Sequence, residues 1–465
     1  MAHILKREMR TKIVYNMADS NSSLKGYLSV EPTSEQIKAL DLSQEFFNEK
    51  RGDDFLIIRG SAGTGKSTLV KAITDYLTFR ETKFVLAAPT GKAAKVIQKK
   101  TGFSAKTIHS LIYTPEPLKH GCGVKMVRKP NQSKELTVFI IDEASMISDV
   151  LSSSENFVAA KPLLSDLLDY IKQGNKNNQV IFIGDVYQLP PVGSQDSPAL
   201  SPKYLINKKG LKGEMVELTE VKRQDKDSYI LQNATLLRKC IENGLSFSGI
   251  NCKMLNKSTA ALYKYMELYE QESFNKVTIL AWTNRDVNWF NNAIRDRLGF
   301  NPKPLVAGDQ ISMHSNWLGN GRMIMKGESG IIRAVGDKVE NYSGLNFVTA
   351  DIEFLDGLGE KFNVVTKVML DSLLSADGDI GFEKENALYS SVMKHNAVFR
   401  ESRMPSDDIY IGAMRLRYGY AITCHKAQGG EWDNVILHPF VPKNDYRWQY
   451  TAITRAAKDL YSFAA

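Results

Sequence analysis

Eight consecutive residues, Gly60-Ser61-Ala62-Gly63-Thr64-Gly65-Lys66-Ser67, have the types and spacing needed to hold a phosphate group: they read G-x-x-x-x-G-K-[ST]. Glycines let the chain curl until several amide N–H groups point at one anion, and a helix starting behind them adds the positive end of its dipole. In such a loop Gly60 through Thr68 form the cradle, Lys66 reaches the β- and γ-phosphates, and the Ser67 hydroxyl ligates Mg²⁺. Two further stretches have chemistry to offer. Val138-Phe139-Ile140-Ile141 runs into Asp142-Glu143, where Asp142 suits holding Mg²⁺ through water and Glu143 suits orienting or deprotonating an attacking water. Val180-Ile181-Phe182-Ile183 runs into Gly184-Asp185-Val186-Tyr187-Gln188, with Gln188 placed to sense a γ-phosphate. Each of these polar residues also has a plainer role available, as a helix cap or a hydrogen-bonded turn.

These groups converge only if the elements carrying them do. Phe55–Ile58, Phe84–Ala87, Val138–Ile141 and Val180–Ile183 are short apolar runs, each ending in a polar or glycine-bearing loop and separated by helical patterns. That alternation predicts a parallel sheet with helices on both faces and ligands at the carboxyl ends of its strands. Upstream, Thr33-Ser34-Glu35-Gln36 fits a capping box opening a helix, so Gln36 has a capping role of its own. Residues 113–135 break the rhythm with prolines, glycines and Lys119, Lys125, Arg128 and Lys129, which reads as a small basic protrusion. A second alternating region starts near 215; its clearest strand is Lys276–Ala281, and the helix after it sets Val287, Phe290, Ile294 and Leu298 on one face. From 307 to 415 short β runs with glycine turns predict an inserted β-rich module, after which the α/β texture resumes.

Bulk properties narrow the class. At 465 residues, roughly 150 per domain predicts about three domains. With 43% hydrophobic and 24% charged residues, composition excludes wholesale disorder. Sixty Lys plus Arg against 52 Asp plus Glu gives a net charge of +8, which permits a polyanionic partner. The four cysteines show no C-x-x-C spacing, which argues against a zinc module or disulfide framework and suits a reducing compartment. No run reaches the roughly 18 apolar residues of a membrane span. The basic start, Met1 to Val14, carries Glu8 and lacks an apolar core, so no secretory signal is expected.

Taken in order, the motifs Gly60–Ser67, Ala87-Ala88-Pro89-Thr90-Gly91-Lys92, Thr107-Ile108-His109-Ser110, Asp142-Glu143-Ala144-Ser145, Gly184–Val192, Leu218-Thr219-Glu220-Val221-Lys222-Arg223-Gln224, Tyr420–Glu431 and Tyr450-Thr451-Ala452-Ile453-Thr454-Arg455-Ala456 resemble the superfamily 1 helicases. Within them the chain is most similar to the B-class, 5′-to-3′ branch containing the RecD and phage Dda helicases. The resemblance implies an α/β fold of two RecA-like parallel-sheet P-loop NTPase domains, at 31–195 and at 196–306 with 416–465. To these it adds an N-terminal extension at 1–30, a pin-like insertion at about 113–135 and an SH3-like β-rich module at 307–415.

It implies ATP between the two domains, with Gln36 reading adenine and Lys66, Ser67, Asp142, Glu143 and Gln188 supplied by the first. Arg223 and Arg455 approach the γ-phosphate from the second, where a planar, permanently charged guanidinium stabilises charge on the transferred group. Glu431 touches the ribose or the phosphate-sensing network. Pro89, Thr90, Thr107, His109, Thr423, His425 and Lys426 contact single-stranded DNA. The implied activity is ATP-driven 5′-to-3′ movement on single-stranded DNA with unwinding of duplex, on strands and duplex junctions, by a monomer in the cytoplasm of a bacterial or phage-infected cell. Replication, repair or recombination proteins are the implied partners, and no membrane is involved. Two alternatives stay open: an ATPase stimulated by single strands that remodels protein–nucleic acid complexes without strong unwinding, and the ATPase subunit of a larger nuclease complex. The protrusion departs from the family pattern, since it offers Val124 and Met126 but no aromatic side chain to stack on a base pair. Trp317 and Trp282 are candidate stackers, with Trp282, after an apolar strand, expected in the core; Lys326, Arg333 and Lys338 either line a strand channel or face solvent.

Overall fold

A computed structural model describes residues 23–464, apart from 49–50, 118–123, 152, 155–156, 222–227, 248, 271–275, 358, 376–377 and 442–443. Its first layer is a six-stranded sheet of β1 (Phe55–Gly60), β2 (Lys83–Ala88), β3 (Ala105–Thr107), β4 (Thr137–Ile141), β5 (Gln179–Gly184) and β6 (Gly213–Leu218), in the order β6-β1-β5-β4-β2-β3. Every pairing is parallel. Because side chains alternate across a strand, each apolar run feeds two cores. Leu56, Ile58, Ile140 and Ile183 pack on one face, and Phe55, Ile57, Phe139, Ile141 and Phe182 on the other. The second layer is a five-stranded parallel sheet of β7 (Lys253–Leu255), β8 (Val277–Ala281), β9 (Ala421–Thr423), β10 (Trp432–Leu437) and β11 (Ala456–Phe463), ordered β7-β11-β10-β8-β9.

Three boundaries differ from the sequence reading. β6, expected to open the second unit, pairs with β1 along its whole length, so the first sheet takes its edge strand from beyond residue 195. Its half-buried alternation suits an edge and carries no label of which sheet it joins. The basic protrusion is an antiparallel hairpin of Tyr113–Pro117 and Val124–Arg128, whose tip lies outside the described residues. A second small hairpin, Ser153–Ser154 with Phe157–Ala159, extends it to four strands and sets residue 157 opposite 124. Strands of two and three residues are too short to show a period.

The inserted module is an antiparallel sheet in the order Lys361–Met369, Leu345–Leu355, Ser329–Tyr342, Gln310–Met313, Leu416–Tyr418. A bridge from Val368 to Met414 brings its two edges together. Its last third is helical instead of β, with helices at Leu370–Leu374, Phe382–His395 and Ala397–Ser402. The module leaves and re-enters the second unit on paired strands, Ile311 opposite Tyr418. A buried ion pair fixes this neck: Arg295, on the helix Asn284–Arg297, donates through Nε and Nη2 to the two carboxylate oxygens of Asp309, at 2.8 and 3.0 Å. The Tyr420 hydroxyl also donates to Asp309, at 2.8 Å.

Candidate nucleotide and strand sites

The phosphate loop leaves β1 with Gly63 and Gly65 at φ of 82° and 83°, in the left-handed region that favours glycine. Gly65 is also held by space, since a Cβ there would lie 2.4 Å from Gln36 Nε2. Gln36 therefore has two tasks. Its Oε1 closes the capping box on Thr33 N–H at 3.0 Å, and its Nε2 donates to Thr64 O at 2.9 Å, fixing the loop to the helix Ser34–Phe46. The Thr64 hydroxyl donates to Ser61 O at 2.9 Å, and Lys66 Nζ donates to Gly60 O and Ser61 O at 2.6 and 3.0 Å. An ammonium has three donors, so Lys66 keeps one to offer to an anion in front of it.

That space is a cleft of about 790 Å³ lined from both units. Gln36, Ala62, Gly63, Gly65, Lys66, Ser67, Thr68, Asp142, Glu143 and Gln188 come from the first, and Glu431 and Arg455 from the second. Gly60, Ser61 and Thr64 stand behind the wall as the bonds above describe, and Arg223 lies outside the described residues. Asp142 follows β4, and burial, with the Glu143 carboxylate next to it, pushes its pKa up. Glu143 has φ of 51°, a left-handed conformation uncommon for a residue with a Cβ, and such strain gathers at functional sites. Its Oε2 and the Gln188 Oε1 are buried without a hydrogen-bond partner among the described residues, which fits groups waiting for a ligand. Arg455, 6% exposed, is aligned by Thr451 O and Gly430 O, each at 3.0 Å.

The seam between the units is bonded through side chains the sequence reading had not singled out. The Tyr450 hydroxyl accepts the Ala62 N–H at 2.8 Å and donates to Asp185 at 2.7 Å. Leu189 uses both halves of its peptide, its N–H donating to Thr451 Oγ1 at 2.9 Å and its C=O accepting from Gln428 Nε2 at 3.0 Å. Arg238, on the helix Tyr229–Asn243, donates to Ser61 Oγ at 3.1 Å; within the first unit, Lys100 Nζ donates to Ser67 Oγ at 3.3 Å. Tyr450 stands inside a quoted motif; Arg238 and Lys100 had no local signal.

The expected strand contacts all sit at carboxyl ends of strands. Pro89 and Thr90 follow β2, Thr107 ends β3, and Thr423, His425 and Lys426 end or follow β9. Their hydroxyls have structural duties. Thr90 Oγ1 accepts from Ala93 N and Thr107 Oγ1 from Ser110 N, each capping a helix, and Thr423 is buried. Half-buried His109 tilts over Tyr113 at 5.8 Å, and burial lowers its pKa, favouring the neutral ring. His425 and Lys426 are exposed.

The tryptophans reverse their expected places. Trp282 is 51% exposed, whereas Trp317 is 7% exposed, with its indole N–H donating to Gly412 O at 2.8 Å. Burial along β8 stops at Ala281, which is level with Thr423, and Thr283 already caps the next helix. The residue between them leaves the end of the strand and turns into solvent. Of the module's basic residues, Arg333 pairs with Glu353 at 2.8 Å, Lys338 faces solvent, and Lys326 lines a pocket with Lys426.

Residues 42–244 match the family model described as an AAA domain, and residues 418–461 match the UvrD-like helicase C-terminal domain. The chain is 26% identical over 418 residues to the ATP-dependent RecD2 DNA helicase of Deinococcus radiodurans, covering 88% of this chain and 47% of that protein. It is 28% identical over 288 residues to the ATP-dependent DNA helicase Dda of enterobacteria phage T4, covering 60% of each. An uncharacterized protein of Methanocaldococcus jannaschii is 26% identical across 91% of this chain and 38% of its own length. The chain thus spans from about two fifths to three fifths of the length of these relatives. In fold it is similar to a Pif1 helicase solved in work on unwinding at forked double-stranded DNA, with a TM-score of 0.52, 19% identity, and 93% and 92% of the two chains covered.

Proposed function

We propose a function from one premise: this chain belongs to the RecD-, Dda- and Pif1-like branch of the superfamily 1 helicases. It hydrolyses ATP in the cleft between its two α/β units and uses the cycle to move 5′-to-3′ along single-stranded DNA, opening duplex ahead. The observation that carries this reading is the composition of the cleft, where the phosphate loop and the Asp142-Glu143 pair face Arg455 and Glu431 of the other unit.

In this scheme the loop amides and Lys66 bind the β- and γ-phosphates, and Glu143 orients and deprotonates the attacking water. Arg455, held in place by Thr451 O and Gly430 O, stabilises charge developing on the γ-phosphoryl oxygens. Gln188 reports the phosphate to the Leu189 peptide, which Thr451 and Gln428 of the second unit hold. The Asp142 carboxylate and the Ser67 hydroxyl, oxygen donors lining the same cleft, fit a hard divalent cation. Mg²⁺ there would neutralise phosphate charge. Arg223, from its place in the Leu218–Gln224 motif, is proposed as a second guanidinium at the γ-phosphate and Glu431 as a contact to ribose or phosphate. His109, His425 and Lys426, with backbone and cap groups of Pro89, Thr90, Thr107 and Thr423, grip the strand across the sheet edges.

Replacing Lys66 with Ala is expected to cut ATP hydrolysis at least a hundredfold in a steady-state assay; turnover within a few-fold of the parent would overturn the site. On duplexes with one single-stranded tail, unwinding from a 5′ tail is expected, and preference for a 3′ tail would overturn the direction.

A further inference from the structure

Ser61 is a junction inside the phosphate loop. Its carbonyl oxygen accepts from Lys66 Nζ at 3.0 Å and from the Thr64 hydroxyl at 2.9 Å, so the aim of the lysine depends on where this one peptide stands. Its hydroxyl is held from outside the loop, accepting from Arg238 Nη1 at 3.1 Å. The loop belongs to the first unit and Arg238 does not. Arg238 rides on the helix Tyr229–Asn243, whose Ile230, Ala234 and Leu237 pack with Leu280, Val435 and Trp448 in the core of the second sheet.

The same guanidinium reaches further first-unit segments. Nη1 also donates to Thr219 O at 3.3 Å, one residue past the end of β6, where the chain leaves the first sheet. Glu242, one turn along the helix, lies 3.9 Å from Arg238 Nε and accepts the Tyr187 hydroxyl, from the loop that carries Gln188. Burial, then the Glu242 carboxylate, push the Tyr187 pKa up, which keeps that hydroxyl protonated as the donor. The Arg238 side chain is 16% exposed, so little water competes for its donors. Among the described residues it does not line the nucleotide cleft, so whatever it does there it does through a neighbour.

We propose that Arg238 is a positioning residue for Lys66: docked on the first unit it holds the Ser61 side chain, and through the Ser61 carbonyl it sets the lysine for the β- and γ-phosphates. The inference rests on the nucleotide reading above and deepens it, making phosphate binding depend on the second unit at a point separate from Arg455. It also gives the opening of the cleft a chemical consequence. As the units part, Arg238 leaves with its helix, Ser61 loses its outer bond, and the loop loosens its hold on the phosphates.

The test measures binding of a fluorescent, non-hydrolysable ATP analogue to the full chain and to its Ser61→Ala, Arg238→Ala and doubly substituted variants, each checked for a native melting temperature. Ser61→Ala removes the hydroxyl and keeps the carbonyl that Lys66 uses. Each single variant is expected to bind about tenfold more weakly, and the double variant no more weakly than either, because all three lack the same contact. Both Arg238 bonds to oxygen come from one nitrogen, so a point donor can stand in for the fork. Arg238→Lys is therefore expected to recover part of the lost affinity when Ser61 is present and none in the Ser61→Ala chain. Ser61→Ala answers by itself if Arg238→Ala fails to fold. Parent-like affinity in a folded Ser61→Ala, or losses that multiply in the double variant, overturn the positioning role while leaving the function standing. Failure of the parent to bind the analogue overturns the nucleotide reading itself.

Discussion

Tyr450 occupies one of the narrowest points in the molecule: a single hydroxyl is shared between the phosphate loop and Asp185. Removing it leaves the Ala62 N–H and a buried carboxylate each short of a partner, at about 1–3 kcal/mol for such groups. Tyr450→Phe is therefore expected to lower strand-stimulated kcat ten- to a hundredfold with less change in KM for ATP, measured by steady-state hydrolysis with and without oligonucleotide. Equal kcat in both proteins would make the hydroxyl a packing detail. At this scale legibility followed sequence distance. Lys66, Asp142, Glu143 and Gln188 announce themselves through local spacing, Arg455 only through the family motif that contains it, and all five line one cleft. Arg238 and Tyr450 act on partners 177 and 388 residues away, so no local pattern reveals those contacts, although Tyr450 itself stands inside a motif.

Among elements, the parallel strands of the first sheet were readable because burial on both faces demands unbroken apolar runs. β6 was misassigned because its residues suit an edge strand of either sheet. The tryptophans show the same limit more sharply, since an aromatic after an apolar strand reads as core until the strand's end is known. Their placement makes opposite predictions. Trp282→Ala is expected to leave the urea midpoint nearly unchanged and to weaken strand binding by about 1–3 kcal/mol, the usual worth of one base stack. Trp317→Ala is expected to destabilise by about 3–5 kcal/mol, as for a large aromatic removed from a core. A shared response of both variants in binding and unfolding would contradict the assignment.

Across the whole molecule the inserted module is tied to both units. Arg295 and Asp309 join it to the second, with both side chains almost fully buried. Lys95, on the helix Gly91–Thr101, reaches Glu328 at 2.5 Å from the first. Arg295→Ala strands a buried carboxylate and is expected to cost about 3–5 kcal/mol in urea unfolding. Lys95 is 30% exposed, so solvent screens its loss and Lys95→Ala is expected to cost clearly less, about 1 kcal/mol. Equal costs would mean that the two attachments are of one kind. Neither attachment was legible beforehand, because each joins charges whose proximity depends on how separately folded layers meet.

The neck of the module, where Ile311 lies opposite Tyr418, has a meaning for descent as well as for mechanics. Because the two ends stand side by side on paired strands, the hundred or so residues beyond them form a cassette that can be lengthened, shortened or exchanged without rethreading either sheet. The ancestral engine would keep its fuel chemistry through such an exchange. What would change is the set of side chains that meets the second sheet, since Lys326 and Arg417 travel with the cassette while Lys426 stays behind. Diversification in such a lineage can therefore proceed by swapping cassettes, with each newcomer judged by how its side chains meet the sheet already in place.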